Sequence, residues 1–152
     1  MINVVVISSD EAIQKSLAEQ DDIQLSLVSV TTLDKMVRSV EKHSTDIVIM
    51  DQNMENIDID IFCHFLRESC PLVQSLVLVE QSPSFEMLQN SGFTVRGYIT
   101  SEQKSLITKA VRVVHDGEAW LPRKLVADML NHFSAQTLNS FDNPKSTLRL
   151  IK

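Results

Sequence analysis

Glycine is scarce in this 152-residue chain: there are three, and no two are close enough to form a glycine-rich turn. Without such a turn, no backbone cradle for nucleotide phosphates can be assembled at a strand end. The only cysteines, Cys63 and Cys70, fall on one expected helix, where a bridge would break the helix, so both read as reduced packing thiols. The pair Cys63-His64 has no second ligand pair at a metal-binding spacing, and His43, His115 and His132 are scattered surface positions. No Ser-His-Asp or Cys-His grouping can be placed at the strand ends, so the residues supply no enzyme. Basic residues are also in deficit. A formal net charge of −6 argues against nucleic-acid binding by this chain alone, because affinity for phosphate backbones needs clustered Lys and Arg. No apolar run approaches the ~18 residues of a membrane span. Met1-Ile2-Asn3-Val4 lacks a basic signal-peptide start, so a cytoplasmic location is expected.

What is present is ordinary globular composition, 43% hydrophobic and 22% charged. A chain of this length buries roughly 70% of its unfolded surface and needs no staple. Short β-rich runs alternate with helix-period segments. Strands are expected at Val4 to Ile7, Ile23 to Val30, Asp46 to Met50, Ser75 to Val79 and Val95 to Thr100. Helices are expected from Glu11 to Glu19, Leu33 to Lys42, Ile59 to Arg67, after Ser82-Pro83 up to Gly92, Lys104 to Val114, and Pro122 to Phe133. The alternation predicts an α/β fold, a doubly wound five-stranded parallel sheet of flavodoxin-like order with an extra C-terminal helix. Such sheets expose their chemistry at the carboxyl ends of the strands, and Asp51 sits at one of them. An Asp there can also be a plain rim residue or helix cap.

From Ile2 to about Phe133 the chain resembles a CheY-like receiver domain of the kind that heads LuxR-type (NarL/FixJ-like) two-component response regulators. Asp51 with Met54 resembles the phospho-acceptor motif. Arg96-Gly97-Tyr98-Ile99 resembles the fifth strand with Tyr98 as switch aromatic, and the run from Ala110 through Gly117 to Arg123 resembles the junction to an output domain. The resemblance implies a signalling module in phosphorelay control of transcription. It also implies departures. Ser8 and Ser9 stand where the family has an acidic pair, Glu80 where it has a hydroxyl, and Ser101 where it has a lysine; Ser101 is expected to cap the next helix. Asp51 and the Asn53 carbonyl alone make at best a weak Mg²⁺ site, so no cofactor is expected and Asp51 is expected to be phosphorylated slowly or not at all. Asp10 would replace a missing acid only by a one-residue slip, which would reverse the alternation of the first strand. With little phosphate to answer, Tyr98 also reads as a packed aromatic with its hydroxyl at the surface.

Trp120 and Arg123 resemble part of a cyclic-di-GMP clamp found in some relatives, although Pro122 replaces its hydroxyl residue; the same run also occurs as a simple junction. Leu125, Met129 and Phe133 lie on an apolar stripe expected to meet a second copy of the chain, giving a homodimer. The expected organisation is a receiver over 1–120, the extra helix over 121–134, and a linker or tail over 135–152, with Leu148 to Lys152 a trailing strand or the stub of something longer. DNA would be reached only through an output domain outside this chain, and no residue identifies a histidine kinase.

Overall fold

A computed structural model describes residues 1–141 of the chain. Leu148 to Lys152, expected as a trailing strand or the stub of something longer, lies outside them. Two compact units are present, Met1–Leu121 and a second beginning at Pro122.

The first unit is built on five strands: β1 (Ile2–Ile7), β2 (Ile23–Leu27), β3 (Ile47–Asp51), β4 (Gln74–Val79) and β5 (Val95–Thr100). All pair in parallel in the order β2-β1-β3-β4-β5. The flavodoxin-like order expected from the alternation is therefore the one observed. β1 and β3 are near-continuous apolar runs because both faces of the sheet are covered, which removes the polar alternation a half-exposed strand would need.

The intervening helices are α1 (Glu11–Ala18), α2 (Leu33–Lys42), α3 (Ile59–Ser69), α4 (Phe85–Asn90) and α5 (Ile107–His115). α1 packs with α5, and α2 with α3. Four helices start at side-chain caps that satisfy otherwise orphaned amides: Asp10, Thr32, Asp58 and Ser84. The cap of α4 is Ser84, whose Oγ accepts from Met87 N–H at 3.1 Å, and not Ser82. Ser101 is likewise no cap. A 3-10 segment, Ser101–Leu106, intervenes before α5, and its flanking residue is Thr100, whose N–H donates to Gln103 Oε1 at 3.3 Å.

β5 lies at the edge of the sheet, where unpaired backbone groups would invite pairing with another chain. Trp120 covers it. Its N–H donates to Arg96 O at 2.9 Å and its carbonyl accepts from Tyr98 N–H at 3.0 Å, forming a single parallel bridge opposite Gly97.

On the surface, Arg112 of α5 holds Asp22 through two hydrogen bonds of 2.9 Å and reaches Gln20 at 2.7 Å. The guanidinium pulls the Asp22 carboxyl down from its ordinary 3.8 to about 2. A depressed carboxylate stabilises the fold above its unfolded pKa and loses that effect as pH falls through the folded value. The destabilisation caused by Asp22→Asn is therefore expected to be constant near neutrality and to fade between about pH 4 and pH 2. Urea titrations of both proteins across that range measure it.

The second unit contains α6 (Arg123–Phe141), which runs well past the expected end at 134. The loss of apolar periodicity there suggests a linker, but residues 135–141 hold no glycine or proline. Its hydroxyls turn inward onto the helix: Thr137 Oγ1 donates to Phe133 O at 3.0 Å and Ser140 Oγ to Gln136 O at 3.1 Å. No helix among the described residues is long and apolar enough to cross a membrane.

Candidate functional site

β1 and β3 are neighbours, with Ile7 level with Met50, so the chain leaving β1 at Ser8 is brought beside Asp51 at the end of β3. On the other flank Asp51 is level with Leu78 of β4, and Gln52 N–H donates to Leu78 O at 3.0 Å, which places Glu80 at the same rim. Asp10, Asp51, Asn53, Glu80, Ser101 and Lys104 line one cavity of about 190 Å³. A wider bowl of about 590 Å³ opens on the other side of Asp51, with Ser8, Ser9 and Asn53 in its wall.

Two of these residues were not expected here. Lys104 falls within the fifth helix expected from periodicity, yet the 3-10 segment after β5 folds its side chain back over the strand ends. Its ammonium lies 2.6 Å from Asp10 Oδ2 and is less than half exposed. Asp10 joins the site without any slip of β1. It lies beyond the strand, at the cap of α1, where Oδ1 accepts from Ile13 N–H at 3.1 Å and strand alternation no longer governs direction. The usable signal was the Asx cap three residues before Ile13; for Lys104 it was the Thr100–Gln103 pair marking a tight turn.

The electrostatics follow from this packing. Burial is the largest influence on Asp51 and raises its pKa; a hydrogen bond from the Ser8 hydroxyl opposes this, the Asp10 charge adds to it, and Lys104 offsets it in part. Burial also works against ionised Asp10, but Lys104 and the Ile13 amide outweigh it and hold that carboxyl below its ordinary value. The hydrogen bond to Asp10, with smaller contributions from the charges of Asp10, Asp51 and Glu80, raises Lys104. Lys104 is thus a permanent cation whose short contact is already committed to Asp10. Ser8 Oγ accepts from Asp10 N–H at 3.1 Å, which ties the two flanks of the pocket together.

The other expected site residues are dispersed. Tyr98 is buried on the face of the sheet that carries α3 and α4, sharing a narrow cleft with Cys63, so its hydroxyl is not at the surface as expected, and burial pushes its pKa well up. Cys63 is likewise pushed up to about 11 by burial, as an inert packing thiol should be. Trp120 is partly buried against the core cluster in addition to its bridge to β5. Arg123 opens α6 and is exposed. On α6, Leu125 is buried within the chain itself, which removes it from the seam expected to meet a second copy; Met129 is partly buried, and Val126, Leu130, Phe133 and Leu138 are exposed.

No protein-family model matches the chain. The transcriptional regulatory protein LnrK of Bacillus subtilis (strain 168) is 25% identical over 160 aligned residues, which take in the whole of this chain and 73% of LnrK. Among solved structures, the isolated receiver domain of RcsB from Salmonella enterica serovar Typhimurium in its apo form superposes with a TM-score of 0.70 at 16% identity, over 86% of this chain and 99% of that one. A LuxR-family two-component response regulator from Aurantimonas sp. SI85-9A1 gives 0.68 at 12% identity, over 87% and 97%. The receiver domain of the NarL response regulator from Mycobacterium tuberculosis gives 0.65 at 15% identity, over 77% and 98%. The fold is that of a receiver domain.

Proposed function

We propose that this chain is the receiver module of a LuxR-type transcriptional response regulator and that it signals through protein contacts rather than through a phosphoryl group on Asp51. One observation carries this reading: around Asp51 a single ammonium, Lys104, faces three carboxylates, Asp10, Asp51 and Glu80, and it is already paired with one of them. A phosphoryl group carries about −2 charge near neutral pH and needs cations or donors around it. Each missing charge-assisted contact is worth roughly 1.5–3 kcal/mol, or about a tenfold to hundredfold change in rate. The shortage is not met by metal. Magnesium requires near-octahedral oxygen ligands, and beside Asp51 stand the neutral Ser8 and Asn53 and an Asp10 occupied by Lys104.

Acetyl phosphate with Mg²⁺, followed by intact-mass measurement, tests the reading. The expected spectrum shows the unmodified mass; a stoichiometric phosphoryl adduct that disappears in Asp51→Asn overturns it. Output then falls to surfaces, and the exposed apolar residues Val126, Leu130 and Leu138 of α6 suit a second copy of the chain. Light scattering is expected to give the mass of a dimer, and a monomer at high protein concentration removes this part of the proposal. DNA would be engaged through an output domain, as the similarity to transcriptional regulators suggests.

A further inference from the structure

At the opposite end of the strands from Asp51, where β4 and β5 begin, lies a cavity of about 290 Å³ between the end of α3 and the turn after α4. In a chain of net charge −6, its wall contains two arginines, Arg67 and Arg96, and no carboxylate. Neither guanidinium has an acidic partner among the described residues. Arg67 Nη1 makes only a long 3.5 Å contact to Gly92 O, and Arg96 Nη2 donates to Gly117 O at 2.8 Å. Arg96 Nε is buried and is the one such side-chain polar atom among the described residues with no hydrogen-bond partner. A buried donor left unsatisfied costs about 1–3 kcal/mol.

The remaining wall fits the same chemistry. Gln74, Ser75 and Thr94 contribute polar side chains, and Ser75 Oγ is oriented towards Thr94 O at 3.4 Å. Phe93, whose ring packs against that of Phe85 at a centroid distance of 5.8 Å, adds an aromatic side chain that is 41% exposed, with its backbone in the left-handed region at φ 58, a conformation that is costly for a non-glycine residue. We infer that this cavity binds a small organic oxyanion, a phosphate monoester or carboxylate with an apolar arm, clamped by Arg67 and Arg96 with the arm against Phe93. Guanidinium forks match such oxyanions in geometry, and the volume, at the lower end of the range of ligand pockets, admits one anionic group and a ring but not a dinucleotide. The site lies at the other end of the strands from Asp51 and does not depend on how that carboxylate is used.

Phenyl phosphate and inorganic phosphate are the probes, titrated into the ¹⁵N-labelled 152-residue chain while the arginine Nε–H resonances are followed. Phenyl phosphate is expected to shift the Arg96 Nε–H signal and to bind about tenfold more tightly than inorganic phosphate, the difference reflecting burial of its ring. Phe93→Ala is expected to abolish that difference. Arg67→Gln and Arg96→Gln are each expected to weaken binding about tenfold or more. Should Arg96→Gln lose its fold through the Gly117 contact, Arg67→Gln and Arg96→Lys carry the same test. Lys104→Gln, which alters the other cavity, is expected to leave phenyl phosphate binding unchanged. The inference is overturned if the Arg96 signal does not move, if Arg67→Gln binds as tightly as the unaltered chain, or if Lys104→Gln removes binding.

Discussion

Replacing Ser8 and Ser9 by aspartate and Glu80 by threonine is expected to convert an unreactive chain into one that acetyl phosphate modifies at Asp51 at least about a hundredfold faster. The geometry makes the effect large. Ser8 emerges from β1 level with Asp51, so new carboxylates there would join Asp51 at one point and supply the charged oxygens that Mg²⁺ requires. Removing Glu80 deletes a negative charge from the cavity that a phosphoryl group would enter and that Lys104 now partly offsets. Lys104 is already within the cavity, so with Asp10 relieved by competing cations its ammonium becomes available to the phosphoryl oxygens. Adding Asp10→Asn to the triple variant is expected to increase the rate further, by releasing that ammonium outright. Intact-mass time courses of the three proteins compare them directly. Equal rates in the unaltered chain and the triple variant would mean that charge around Asp51 is not what limits the reaction.

Gly97→Val is expected to cost at least about 3 kcal/mol, a large share of the roughly 5–15 kcal/mol that holds a domain together. A Cβ added at Gly97 would lie 2.5 Å from Leu76 Cδ2, 2.9 Å from Trp120 Cβ and 3.0 Å from Trp120 O. The first atom belongs to the end of a side chain, which can turn. The other two belong to the bridge that closes the edge of β5, where displacement would break hydrogen bonds from Trp120 N–H and Tyr98 N–H. Gly97→Ala should cost less, about 1–3 kcal/mol, since only Cβ must be accommodated. Gly117→Ala separates crowding from backbone strain. It meets nothing within 4 Å, but its φ of 95° disfavours a side chain, so only a conformational cost of about 1 kcal/mol is expected. Urea midpoints order the three. A Gly97→Val protein that unfolds at the unaltered midpoint would show that the Trp120 strap contributes nothing to the edge.

The strand order, the carboxylate at the end of β3 and the helix α2 were legible because each rests on local pattern: an apolar run, a residue just past it, a 3.6-residue stripe. α6 was legible only in part. Its first turns carry the stripe, whereas its later turns are polar residues that stay helical because no breaker intervenes and their hydroxyls bond to their own helix. The cap of α4 was misplaced by two residues for a similar reason: Ser82-Pro83 and Ser84 present equivalent local signals, and packing selects between them.

The composition of the pocket shows the boundary most clearly. From the chain alone, the residues at the strand ends determined that Asp51 would be present, that Ser8, Ser9 and Ser101 would bring no charge, and that Glu80 would bring the wrong one. Only the tertiary structure decided that a cation is nevertheless there and that its partner is Asp10. Both side chains belong to turns rather than to periodic elements, so hydrophobic period carries no information about where they point. They meet because β1 and β5 deliver the start of α1 and a 3-10 segment to one rim of the sheet, from positions more than ninety residues apart in the chain.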